Sequence, residues 1–506
     1  MTILRMRQDG RTHHWERVLC AGLMVLTAFR IWTANSIGLH PDEAYYWLWS
    51  TQPSAGYYDH PPMVAWWIWL SGTLLDHTLV GVRAMAIAST MISSILVFHT
   101  MLELGADRAL ACRAALWFNA MLLVGFTAFV ATPDDPSIMF WVSTTWVLAR
   151  LRRTAHQPLW LVVGLLAGLG CVSKYTNFFL GPGILLWLAM DKRARQQTSV
   201  LWLSAGGAIA LMVFSPVLIW NSNHHWVSFF KQFGRIEDGS FTLRYVPDFA
   251  LGQFGLINPA ICVFLVLGLA RVCKHRELSA DRFLPFLSAP LLLYMAAHSM
   301  HDRVQANWLS PLFPAFAMIG AFEAMRWRHS PSVHRMGKAV LPVGLGLPGL
   351  LLGYVALSGG EGLPFASPLD PLLGWAPLAS QIEKIRQDHA AMWIGTADYG
   401  VTGELAFYAA DPSIVQEVVD RERYTFRLPA PFLADQPGLL VLRSRDRSMA
   451  NLSACFSSIA DLGQITRDSH GRVIERYDVF KVSAAAPDIV EKGCDAFLSA
   501  PPSGQM

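Results

Sequence analysis

The sequence predicts an all-α polytopic membrane protein of about eleven transmembrane helices, with interfacial helices on its outer face and a small extracytoplasmic α/β domain at its C-terminal end. Three observations lead there. Of 506 residues, 53% are hydrophobic and only 15% charged, whereas a soluble domain carries about a quarter charged residues. Apolar runs of roughly 16 to 24 residues recur from about residue 18 to 357, enough for helices rising 1.5 Å per residue to cross about 30 Å of hydrocarbon. Basic residues are also unevenly shared between alternate connections. One set holds about 20 of the 40 lysines and arginines and the other about six, and in short loops these residues stay on the cytoplasmic side. Eleven spans with a cytoplasmic N-terminus and an outer tail satisfy that asymmetry.

Each element has its own reason. The basic stretch up to Trp15 precedes a long apolar run without a small-residue cleavage site, so 18–38 reads as a retained first span. Residues 39–79 are too long for a turn and contain "EAYYWLWS" and "PPMVAWWIWLSGTLL". Trp and Tyr favour the headgroup level, which suits helices lying in the interface plane. Spans follow at 80–104, 112–131, 137–150, 157–173, 176–190 and 199–220. A second long outer connection, 221–247, is similar but more polar. Spans at 248–270, 283–298, 306–325 and 339–357 complete a membrane domain over 1–357.

The tail, 358–506, opens on the Gly/Pro-rich "SGGEGLPFASPLDPLLG" and mixes helix-like "LASQIEKIRQDHAAM" with strand-like "GLLVLRS" and "VIERYDVFKVS". It carries no recognisable catalytic motif. The seven cysteines fit no metal-binding spacing. Five lie in or near the spans as small core residues. Cys455 and Cys494 are the two in the tail, where an oxidising compartment would let them pair, although sequence does not supply their separation.

Charge at membrane depth costs about 2.5–3.5 kcal/mol per residue, which makes rim acids functional candidates. Asp42 and Glu43 ("HPDEAYY"), Asp59 ("YYDHPP"), and Asp134 and Asp135 ("ATPDDP") all fall on the outer rim of the first four spans. If they converge, they share a cation or raise one another's pKa, so the cluster would hold a divalent metal or keep one carboxylate basic. Plainer readings stand beside these: "DE" as acids complementing a helix dipole, and "PDDP" as a capped turn. His224 and His225 in "WNSNHHWVSFF" are metal ligands by type or structural residues of an aromatic loop. Lys174 ("SKYT") and Arg303 ("HDRVQANW") are isolated outer cations suited to phosphate, with snorkelling as the alternative for the lysine. The sum is an acid-rich, aromatic-lined, phosphate-attracting cavity that suits a lipid-linked phosphate substrate.

The motifs "HPDEAYYWLWS", "GYYDHPPMVAWWIWLSG", "TPDDPSIMFW", "SKYTNFFLGPGILLWL", "SPVLIWNSNHHWVSFFKQFGR" and "VQANWLSPLFPAF" occur in this order. They resemble the bacterial members of the protein O-mannosyltransferase-like glycosyltransferases, which have the membrane-embedded class C glycosyltransferase fold and include the lipid A aminoarabinose transferase and lipopolysaccharide-core galacturonosyl transferases. The resemblance covers residues 35 to about 325; the tail matches the family's variable outer domain only in position and size. It implies a polyprenyl-phosphate-sugar donor and a glycolipid or glycan acceptor at the periplasmic face of a bacterial inner membrane, with neither nucleotide sugar nor nucleic acid as partner.

Carried over by position, the resemblance makes Asp42 the catalytic base or acceptor-orienting acid, with Glu43 beside it, and Asp134 the second acidic motif. It makes Asp59 and His224 ligands of a divalent metal (Mg, Mn or Zn). His60 stands where the aminoarabinose enzyme has a lysine facing the donor phosphate, which leaves more of that task to Lys174 and Arg303. The implied reaction is a single, inverting displacement. Two rivals stay open at this point: a transporter or flippase of lipid-linked sugar, which would need polar groups through its depth rather than acids at one face, and a scaffold whose tail recruits partners.

Overall fold

The computed structural model describes residues 2–233, 241–274, 282–427, 435–446, 452–453, 455–485, 489 and 494. Part of the 221–247 connection therefore lies outside the described residues. Every apolar run expected to span falls on helix, but the helices differ in length. Among the described residues, five are long and apolar enough to cross a membrane: His14–Ser36, Leu79–Glu103, Val200–Asn223, Ala306–Arg326 and Pro331–Leu357. Val246–Ile257 and Pro259–Lys274 pass the same test together but meet at 113°. Asn258 between them has φ 85°, and the following proline disfavours helical geometry at that residue. The run at 112–131 is likewise divided, into Arg108–Asn119 and Leu122–Thr127. Met63–Leu75, Leu159–Ser173, Tyr175–Met190 and Phe283–His298 are shorter apolar helices. The protein is mainly helical and multi-pass.

The chain forms two compact units that interleave along the sequence. The first comprises Met1–Ile31, Asp59–Val64 and Ala84–Gly353, and the second Trp32–Tyr58, Ala65–Arg83 and Tyr354–Met506. In the first, helices approach closely where small residues meet, since lipid supplies no hydrophobic drive between apolar faces. A Cβ on Gly164 would stand 2.0 Å from the Gly206 carbonyl oxygen, so Leu159–Ser173 and Val200–Asn223 touch backbone to backbone. Trp117 stacks on Phe264 with centroids 5.5 Å apart, in a core shared with Leu312, Phe313 and Phe316. At the 113° bend the Asn258 amide donates to the carbonyls of Ala120 and Val340, each at 3.1 Å. The buried Asn258 side chain at the bend is therefore hydrogen-bonded rather than left unpaired.

The second unit holds a five-stranded sheet in the order β2-β1-β3-β5-β4. Its strands are β1 (Trp393–Thr396), β2 (Val415–Glu417), β3 (Gly438–Arg443), β4 (Phe456–Ser469) and β5 (Arg472–Ala485). β1 runs parallel to β2 and β3, and β5 antiparallel to β3 and β4. The apolar "GLLVL" of β3 is buried residue after residue, as a central strand requires, and helix Tyr399–Tyr408 makes the crossover that parallel β1 and β2 need. Trp393, Leu440, Phe480 and Val482 fill the core. Cys455 and Cys494 form a disulfide, their Cα atoms 5.7 Å apart, so the pairing that an oxidising compartment permits is present. The same unit takes in helix Pro41–Ser50, although the sequence alone assigns it to the membrane domain.

Candidate active site

In the second unit, helix Pro41–Ser50 owes its start to a capping box with Pro41 at the first helical position. The His40 Nδ1 accepts from the Asp42 N–H at 3.2 Å, and the Glu43 carboxylate accepts from the His40 N–H at 3.0 Å. The two acids of "DE" then part company. The Asp42 side chain is 39% exposed, and the Tyr399 hydroxyl donates to its Oδ1 at 2.8 Å. Glu43 is fully buried and bound on both oxygens by Arg83, whose Nε and Nη2 donate at 2.9 and 2.7 Å. Arg83 also donates to the carbonyls of Ala34, Ile37 and Gly38 at 2.6–2.9 Å. Glu43, expected beside Asp42 among the catalytic acids, is held at the helix start by Arg83 and meets no solvent in this structure. Behind it lies Glu404, buried and without a hydrogen bond to either carboxyl oxygen among the described residues. Burial, then the Glu43 charge, raises its pKa well above the usual carboxylate range.

In the first unit, the two acids of "PDDP" divide in the same manner. The Asp135 Oδ2 accepts from the Thr132 N–H at 2.8 Å and hydroxyl at 3.1 Å, closing the turn before helix Asp134–Thr154. The Asp134 Oδ1 accepts from the Lys174 Nζ at 2.7 Å and from the Ser310 hydroxyl, and its Oδ2 from the Asn307 amide at 2.8 Å. Lys174 occupies an extended break between helix Leu159–Ser173 and the turn Tyr175–Phe179, which swings its ammonium towards Asp134. It is 8% exposed and ion-paired, so neither isolation nor snorkelling describes it. An ammonium has three N–H donors, and two remain after Asp134. Lys174 lines a small cavity with Tyr175, Gln232, Phe233, Tyr294 and Trp308. The Gln232 amide donates to the Asp59 carbonyl at 2.7 Å, tying the Asp59–His60 turn to helix Val227–Phe233. A cation set in an aromatic wall is suited to an anion on an apolar stem.

Asp59 and His60 are half-buried, and Arg303 is exposed with its N–H bonded to Asp302. The His224 ring stacks on Trp220 at 4.0 Å, and its Nδ1 lies 2.7 Å from the Trp220 carbonyl oxygen. His225 is exposed with φ 55°. Among the described residues no three His, Cys, Asp or Glu side chains assemble a metal site. Asp59 and His224, expected as ligands of Mg, Mn or Zn, are not joined by a third such side chain among the described residues. Sequence reasoning passed over Tyr399, Asn307 and Ser310. The last two sit in "VQANWLSP", where polar side chains opening an apolar span were the available signal; Tyr399 had none.

Comparison with known proteins agrees with this architecture. Residues 59–220 match the family described as dolichyl-phosphate-mannose-protein mannosyltransferase. The chain is 24% identical over 350 residues to the lipid A galacturonosyltransferase RgtD of Rhizobium johnstonii, covering 66% of this chain and 72% of that one. It is 27% identical over 263 residues to an undecaprenyl phosphate-alpha-4-amino-4-deoxy-L-arabinose arabinosyl transferase of Sodalis glossinidius, covering 47% and 45% respectively. The crystal structure of ArnT from Cupriavidus metallidurans bound to undecaprenyl phosphate matches with a TM-score of 0.59 at 14% identity, over 92% of this chain and 98% of that one. That likeness speaks for the fold. In sequence and in architecture the chain is similar to the bacterial members of the protein O-mannosyltransferase-like glycosyltransferases, and its fold is theirs, the class C glycosyltransferase fold.

Proposed function

We propose that this protein is a multi-pass membrane glycosyltransferase that moves a sugar from a polyprenyl-phosphate donor to an envelope glycolipid or glycan at the periplasmic face of a bacterial inner membrane. The observation that carries the reading is the buried Asp134–Lys174 pair at the wall of an aromatic cavity. Two relatives that modify lipid A or use an undecaprenyl-phosphate sugar support it. Residues 1–357 carry the membrane transferase, with the N-terminus cytoplasmic, and 358–506 form a periplasmic domain; the Cys455–Cys494 disulfide suits that oxidising side.

The donor phosphate meets the two N–H groups that Lys174 has left, and Asp134 holds the ammonium in place. His60 and exposed Arg303 add to donor binding. The acceptor hydroxyl attacks the anomeric carbon on the face opposite the phosphate. As the new C–O bond forms, the bond to the phosphate oxygen breaks, and polyprenyl phosphate leaves with the electron pair, its charge met by Lys174. Asp42, the accessible acid of its pair, takes the hydroxyl proton, a contribution of about 10²–10⁴-fold for a positioned base. One displacement inverts the anomeric centre.

The test uses purified protein in detergent, supplied with lipids extracted from native envelopes as the source of donor and acceptor. A transferase adds one sugar mass to the acceptor under these conditions. A flippase has no second compartment to fill and forms no product, so absence of product from folded protein would contradict the proposal.

A further inference from the structure

We infer that Tyr399, in the C-terminal domain, is a positioning residue for the transfer: its hydroxyl fixes the orientation of the Asp42 carboxylate. The inference rests on the reading of Asp42 as the acid that receives the acceptor proton. It places part of the catalytic machinery more than 350 residues along the chain from the motif it serves, in a domain that shows no catalytic motif of its own.

The backbone under Tyr399 is held from three directions. Tyr399 is the first residue of helix Tyr399–Tyr408, whose N-cap Asp398 accepts from the Val401 N–H at 3.0 Å. Asp398 also pairs with Arg443, at the end of β3, at 3.0 Å. The residue thus stands just beyond the carboxyl end of β1, in the parallel part of the sheet, where open α/β sheets present functional groups. Glycines on the same helix set its distance from Pro41–Ser50. A Cβ on Gly403 would lie 2.6 Å from the Tyr45 nitrogen, and one on Gly400 2.6 Å from the Pro41 Cβ. Nothing larger than glycine lets the helices approach this closely, and that approach brings the phenol within 2.8 Å of Asp42.

The ring is also confined. Its centroid is 5.1 Å from that of Tyr45, and the Arg423 guanidinium lies 5.0 Å above it and 5.1 Å above Tyr58. Burial first, and the Asp42 charge next, push the phenol's titration above its usual range, so it stays a donor. Tyr399 occupies Oδ1 of Asp42. The second oxygen lies 3.7 Å from the His40 Nδ1, and that nitrogen accepts from the Asp42 N–H, so its lone pair points there and it offers Oδ2 no proton. Oδ2 is the oxygen left for the acceptor. Without the phenol, the carboxylate rotates about its terminal torsion, which is soft, and the proton acceptor is aimed correctly only part of the time.

Tyr399→Phe removes one oxygen and keeps the ring between Tyr45 and Arg423. Purified wild-type, Tyr399→Phe and Asp42→Asn proteins are compared in detergent, with native envelope lipid extract as the probe and the sugar mass gained by acceptor as product. The expected result is a fall in kcat of about 10–100-fold for Tyr399→Phe, as for loss of a hydrogen bond to a charged group. Apparent KM should change by less than about twofold, and the melting temperature should fall by about 3–6 °C, the low end for a bond to a charged group, because water reaches the 39%-exposed Asp42 carboxylate in place of the phenol. Full kcat in Tyr399→Phe with an inactive Asp42→Asn overturns the inference and leaves the transferase reading standing. A loss of rate that follows an equal loss of folded protein overturns it too, because the role is then structural. Full activity in Asp42→Asn removes the acid on which it rests.

Discussion

Glu43→Ala breaks a pair in which both side chains are fully buried. The charge left on Arg83 has no water to turn to, and removing one partner of a buried pair costs about 3–5 kcal/mol. Arg83 keeps its bonds to Ala34, Ile37 and Gly38, which places this variant at the low end. Arg83→Met loses those bonds as well and strands carbonyls around the end of the first helix, at about 1–3 kcal/mol for each left buried and unpaired. It falls at or above the high end. The double variant Glu43→Ala/Arg83→Met buries no unpaired charge, so its cost should be less than the sum of the single ones by about 1–3 kcal/mol. A unit of 150–250 residues loses about 2–4 °C of melting temperature per kcal/mol. Glu43→Ala should then melt about 6–12 °C below wild type, and Arg83→Met about 10–20 °C below. Tryptophan fluorescence of the detergent-solubilised protein during heating is the assay. A Glu43→Ala protein that melts like wild type but transfers no sugar would refute the reasoning and return Glu43 to the chemistry.

Lys174→Met should abolish the thermal stabilisation that undecaprenyl phosphate gives the wild-type protein, whereas Asp134→Asn, which keeps Asn307 and Ser310 as neighbours, should retain most of it; equal stabilisation of wild type and Lys174→Met would contradict the phosphate role. Glu417 is buried, and that burial raises its pKa from 4.5 to about 8, against the Thr402 hydroxyl bond that lowers it. The folded state therefore binds this proton more tightly than the unfolded one. Its stabilising contribution is complete below pH about 4.5 and is lost as pH rises to about 8. The protein should melt at a lower temperature at pH 8.5 than at pH 5.5, and Glu417→Gln should flatten that dependence; an unchanged slope in the variant sinks the assignment. Closing a 39-residue separation with the Cys455–Cys494 bond is worth about 4 kcal/mol by chain entropy. Cys455→Ser, or reduction with dithiothreitol, should lower the melting temperature by several degrees and change mobility on a non-reducing gel, and the absence of both changes would show that the bond does not form.

Much of the architecture was legible because length and apolarity are local properties. The runs that became helices, the Trp- and Tyr-rich stretches at 41–50 and 63–75, and the strand-like "GLLVLRS" and "VIERYDVFKVS" all read correctly from their own residues. The bend at Asn258 was also within reach, since a residue before proline avoids the helical region. The division of labour inside each acidic pair was not. In "DE" and in "PDDP" two neighbouring carboxylates are chemically equivalent on paper, and their fates are set by residues distant in the chain. Arg83, 40 residues on, takes Glu43 out of solvent. Lys174, likewise 40 residues on, selects Asp134, while the local Thr132 claims Asp135. For the same reason Lys174 looked like a lone cation. Tyr399 is one of two tyrosines on a short helix, with no periodicity or motif to distinguish it from a core residue, and only the close approach permitted by Gly400 and Gly403 gives it meaning.

The most direct test compares envelope glycolipids, by mass spectrometry, from cells lacking the gene and from cells producing either wild-type or Asp42→Asn protein at equal membrane levels. Wild type should restore one sugar mass to the acceptor lipid, and Asp42→Asn should restore none while remaining folded and inserted. The same sugar mass in all three samples, or full restoration by Asp42→Asn, would contradict a transfer that runs through this acid.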